Sequence, residues 1–74
     1  LEARVIVYKC DCHPYQQLIT LLCKYVPGMT SSRAFELAYQ IDHEGEAMVF
    51  EGETQQAEQI ASGLASGGLR VVVQ

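Results

Sequence analysis

Val5-Ile-Val-Tyr-Lys-Cys-Asp-Cys-His-Pro-Tyr-Gln-Gln-Leu-Ile-Thr-Leu-Leu-Cys-Lys-Tyr-Val26 decides the fold of this chain. Its opening, Val5 to Tyr8, is β-branched and aromatic, the composition that packs well on a pleated surface. Pro14 ends the extended run, because proline has no N–H to give a sheet ladder. Proline suits the first turn of a helix, where that N–H has no partner anyway. Beyond it the apolar period changes. Tyr15, Leu18, Ile19, Leu22, Tyr25 and Val26 form one helical stripe. A buried strand thus feeds a core-facing helix through a polar elbow, Lys9 to His13. This elbow is expected to wall any site the protein has.

Downstream, Pro27-Gly28 closes the first helix. Met29-Thr30-Ser31-Ser32 reads as the start of a second, with a hydroxyl capping the first turn and Met29 as a staple. That helix is expected to reach about Asp42, with Ala34, Leu37, Ala38 and Ile41 facing inward and Phe35 beside them. Its alanines mark either a close approach or room for a ligand. Gly45 then fits the left-handed position after the last turn. Glu46 to Phe50 alternates on the strand period, Glu51 to Thr54 reads as a turn, and Thr54 is the expected cap of a third helix. Ala57, Ile60, Ala61 and Leu64 make the stripe of that helix. Gly63 within it costs about 1 kcal/mol against alanine. Gly67-Gly68 ends it, and Leu69 to Val73 is the last strand. The order β-α-α-β-α-β predicts one α+β domain over residues 1–74. It is a small two-layer sandwich, a three-stranded sheet with three helices on one face. If the second and third strands paired in parallel, their crossover would be right-handed.

Composition limits the function classes. The net charge is −4, and no Lys or Arg lies between Arg33 and Arg70, an interval carrying seven Asp or Glu residues. Such a face repels phosphate backbones, so no nucleic-acid partner is expected. It serves either as a solubilising surface or as an attractor of cationic groups such as a peptide α-amine. No run is long enough to span a membrane and no secretory signal is seen, which points to a cytoplasmic protein. Three cysteines, an odd number, fit free thiols in a reducing compartment better than a disulfide framework. Cys23 reads as a packing residue. No nucleophile–base set, phosphate-cradling loop or zinc-protease motif is present, and no enzymatic activity or cofactor is expected. Cys10-x-Cys12-His13 has donor types suited to Zn²⁺ or Cu⁺ but lacks the usual second pair. The preferred reading is small elbow side chains, with His13 at the helix N-cap and no metal.

The chain resembles the ClpS family of protease adaptors. The resemblance rests on the Val-Ile strand, on Asp11 and Pro14 in the elbow, and on Leu-x-x-x-Ile-x-His-Glu-Gly-x-Ala-x-Val from Leu37 to Val49. A Thr-capped helix leading to a short hydrophobic strand completes it. A second likeness, in architecture, is to the C-terminal domain of the ribosomal stalk protein. The ClpS resemblance implies an adaptor that binds a peptide or protein N-terminus, an N-degron, and delivers substrates to an AAA+ unfoldase coupled to a Clp peptidase. In that family an Asn, an Asp and a His hold the α-amine. Here the Asn falls on Lys9, its neighbouring Asp on Cys10 and the His on Asp42, while the second elbow acid is kept as Asp11. The apolar wall falls on Tyr15, Leu18, Ala38 and Ile41. Helix three lacks the lysine the family carries at its unfoldase-docking surface. The expected peptide site is therefore Asp11, Tyr15, Leu18, Ala38, Ile41 and Asp42. The alternative is a structural interaction domain that kept the fold and lost α-amine recognition. In that case Tyr15 and Lys9 would fill the pocket.

Overall fold

The computed structural model describes residues 1–74. Strand β1 (Glu2–Tyr8) is followed by helices α1 (Tyr15–Tyr25) and α2 (Ser31–Glu44), strand β2 (Glu46–Glu53), helix α3 (Thr54–Ser66) and strand β3 (Arg70–Val73). The sheet order is β2-β1-β3, with β1 in the centre and antiparallel to both neighbours. β2 and β3 thus run in the same direction on either side of β1, so the β2-α3-β3 unit crosses over the central strand and the condition of direct parallel pairing is not met. Hydrophobic period carries no information on which strand sits in the middle.

The inward positions of the sheet, Ala3, Val5, Val7, Ala47 and Val49, meet Leu22 of α1, Leu37 of α2 and Leu64 of α3 in one core. All 16 buried residues are apolar, so no buried polar group stands in need of a partner and the core offers no chemistry of its own. Ile6 is buried too but lies outside that cluster, on the opposite face beside exposed Met48 and Val72. Val5 pairs with Phe50 and Ile6 with Met48, leaving Val49 as the extra residue of a β-bulge.

Several local expectations hold. Thr30 caps α2 by accepting from the Arg33 N–H at 3.2 Å, and Gly45 ends that helix at φ 92°. Others are corrected. Glu51 to Glu53 are not a turn but continue β2 against the first residues of β1, because the paired partner strand extends the ladder. Glu53, rather than Thr54, is the N-cap of α3. The hydroxyl and N–H of Thr54 both donate to the Leu1 carbonyl, each at 3.0 Å, and so tie the start of β1 to the start of α3. Pro14, not His13, occupies the N-cap of α1. Cys23 and Phe35 are exposed. Cys10 and Cys12 are joined in a disulfide across Asp11, contrary to the expectation of free thiols.

Gly63 has a packing reason. A Cβ at this position would overlap the ring of Tyr25, near its attachment rather than its free end. The glycine therefore lets α1 lie close against α3, which offsets its poor helix propensity. Gly63→Ala is expected to lower stability by about 1–3 kcal/mol through overpacking, despite the better propensity of alanine. In a Tyr25→Ala background the same change is expected to become neutral or stabilising. Urea unfolding of the four chains checks this reversal of sign.

Candidate functional site

The site forms where β1 leaves the sheet. Tyr8 is the last residue of β1 paired on both sides, to Glu46 and to Arg70. The Lys9 N–H then donates to the Gly45 carbonyl at 2.8 Å. The elbow is thereby pinned between the C-terminus of α2 and the turn that joins α3 to β3. A cavity of about 180 Å³ opens there. Asp11, Tyr15, Leu18, Ala38, Ile41 and Asp42 all line it, so residues from two separate stretches of the chain meet on one surface. Ala38, fully buried, leaves floor space where a longer side chain would stand. An engineered cavity of about 150 Å³ holds benzene, so this one accommodates a single aromatic or branched side chain.

Tyr8, Lys9, His13 and Leu69 also line the cavity. Leu69 had no local signal, because it arrives only through the pairing of β3 with β1. Tyr39 stacks on His43, with ring centroids 3.8 Å apart, and is half exposed.

The polar rim converges on Asp42. One carboxylate oxygen accepts from the Tyr15 hydroxyl at 3.0 Å, and the other lies 3.4 Å from the Lys9 ammonium. The ammonium also donates to the Asp42 main-chain carbonyl at 3.2 Å and lies 3.9 Å from Asp11. Lys9 thus turns inward onto the acids instead of outward into solvent. The carbonyl belongs to the last turn of α2, whose carbonyls lack helical partners and carry the negative end of the helix dipole. A carboxylate in that turn is electrostatically unfavourable by itself, and Lys9 and Tyr15 compensate it. The Tyr15 hydrogen bond foremost, then Lys9 and His43, hold the Asp42 carboxyl below its ordinary range against the opposing effect of desolvation. Desolvation, together with the anionic partner, raises the Tyr15 phenol. The arrangement is an ammonium seat: helix-end carbonyl, carboxylate and a second acid at the lip, beside an apolar pocket.

The family model for ATP-dependent Clp protease adaptor protein ClpS matches residues 2–72. The chain belongs to the ClpS family. A ClpS adapter protein of Thermosynechococcus vestitus is 42% identical over 66 residues, covering 89% of this chain and 70% of the relative. One from Synechocystis sp. is 41% identical over 66 residues, covering 89% and 67%. Among solved structures, Agrobacterium tumefaciens ClpS2 bound to L-phenylalaninamide superimposes with a TM-score of 0.91 over 99% of this chain and 94% of that one. At 18% identity that likeness establishes a shared ClpS fold. No helix of this ClpS-family chain is long and apolar enough to cross a membrane.

Because its folded pKa is depressed, the Asp42 carboxylate contributes stability that is fully present above the ordinary aspartate pKa and is lost as pH falls through the lowered value. In a carboxyl ¹³C titration, Tyr15→Phe is expected to move the Asp42 midpoint upward by more than Lys9→Met does. Equal or reversed shifts would mean that the phenol is not the main partner.

Proposed function

We propose that this chain is a non-catalytic adaptor that reads the N-terminal residue of peptides and proteins and delivers them to an AAA+ unfoldase of the Clp type. The observation that carries this reading is the ammonium seat at Asp42. A primary ammonium, that of Lys9, is held by a carboxylate and a helix-end carbonyl at the mouth of a pocket sized for one side chain. A peptide α-ammonium is the same chemical group, and leaving water it needs the same acceptors. With its amine at Asp42 and Asp11, a first side chain would descend between Tyr15, Leu18, Ala38 and Ile41. The L-phenylalaninamide bound to the structurally similar ClpS2 supports a large apolar first residue as the class preferred.

In this reading Lys9 competes with the ligand. An incoming amine displaces it, and the lysine side chain, 43% exposed, returns to solvent. A second reading is favoured by the same contacts. Lys9 and Tyr15 already engage both carboxylate oxygens of Asp42, as in a structural interaction domain that no longer takes amines.

Fluorescence anisotropy with peptides differing only in their first residue separates the two. Phe- and Leu-initiated peptides are expected to bind more tightly than Gly-initiated ones, and N-acetylation is expected to abolish binding. Asp42→Asn is expected to weaken binding at least about fivefold. Lys9→Met is expected to strengthen it about two- to fivefold, the scale of a partly exposed ion pair. Identical titrations for all first residues, unaltered by Asp42→Asn, would establish the structural reading instead.

A further inference from the structure

The disulfide-bonded elbow carries a feature that N-terminal recognition does not use. Cys10 Sγ, Cys12 Sγ and a ring nitrogen of His13 all lie within 4.8 Å of one another, and Cys12 Sγ is 3.0 Å from His13 Nδ1. Sequence spacing alone left these donors without a fixed geometry, and the fold supplies one. A Cβ on Gly68 would come within 2.9 Å of His13 Nε2. The glycine turn after α3 therefore accepts the Nε2 edge of the ring and leaves Nδ1 toward the sulfurs. The Lys9 ammonium is engaged by Asp42 and Asp11.

We propose that, once the Cys10–Cys12 bond is reduced, Cys10 Sγ, Cys12 Sγ and His13 Nδ1 form a three-ligand zinc site beside the cavity, which Cys10 and His13 line. Zinc–sulfur bonds of about 2.3 Å and zinc–nitrogen bonds of about 2.0–2.1 Å put tetrahedral donors about 3.5–3.8 Å apart. The three donor atoms already lie within 4.8 Å of one another, and opening the disulfide frees the sulfurs to separate to that spacing. Two cysteines, one histidine and an open fourth position form a known zinc set. Thiolate and imidazole are softer donors than the carboxylates that hold calcium or magnesium.

The chemistry balances through an external dithiol. Two electrons and two protons pass from it to the Cys10–Cys12 bond, giving two thiols and leaving the reductant as its own disulfide. Zinc then binds with release of the thiol protons to solvent. Disulfide and metal exclude each other at the same sulfurs, so the elbow exists either as a closed covalent ring or as a metal chelate.

The test uses the whole chain carrying Cys23→Ser, which removes the remaining thiol, and Zn²⁺ alone as the probe. After reduction, competition with a chromogenic chelator is expected to give one zinc per chain, and Co²⁺ in its place to give thiolate charge-transfer absorption. Cys10→Ser and Cys12→Ser are expected to abolish both signals, and His13→Ala to weaken zinc binding at least about tenfold. The oxidised protein is expected to bind none. Absence of stoichiometric zinc in the reduced protein would overturn the proposal. So would equal affinity in Cys10→Ser or His13→Ala, or one zinc shared by two chains. None of these readouts involves a peptide, so the result stands or falls separately from N-terminal recognition.

Discussion

The hydrogen bond from the Lys9 N–H to the Gly45 carbonyl is the constraint on which the cavity depends. β1 is the central strand, so its exit is flanked on both sides, by the end of α2 and by the turn before β3. With the elbow held there, the first acid after the strand, the first turn of α1 and the last turn of α2 have to share one space. Loss of that register would separate Asp11 and Lys9 from Asp42 even if every helix remained intact.

The wall of the site and its rim have different physical origins. The wall is the ordinary inner stripe of two amphipathic helices, deepened where α2 has alanine at position 38. At the rim, an acid sits where a helix end is already negative, and a lysine and a phenol are recruited to it. Local rules of helix design disfavour that acid, and such violations tend to be found at functional positions. Within the ClpS fold, this chain therefore gathers Lys9, Asp11, Tyr15 and Asp42 at one rim.

Much of this was legible before any coordinates. The stripe after Pro14 and the Thr30 and Gly45 signals located α1 and α2. It was the ClpS resemblance, aligned at Gly45, that assigned Ala38, Ile41 and Asp42 to the same site as the elbow. Pairing was not legible. Alternation in β2 is the same whether its neighbour is β1 or β3, so the central position of β1, the extension of β2 through Glu53 and the arrival of Leu69 at the cavity could not be read. Nor could the direction of Lys9, because a long side chain chooses among acceptors that only tertiary structure brings near. Thr54 carried a sound capping signal, but a carbonyl far away in sequence claimed its hydroxyl.

Leu1 is bound to the beginning of α3 through Thr54, and Gln74 exchanges backbone hydrogen bonds with Arg4. At about 3.3 Å per residue along β1, both lie roughly 17–26 Å from Lys9. Residues 1 and 74 therefore lie away from the cavity along β1. Attachment to a surface, a fluorophore or a fused protein through either end would leave the mouth clear.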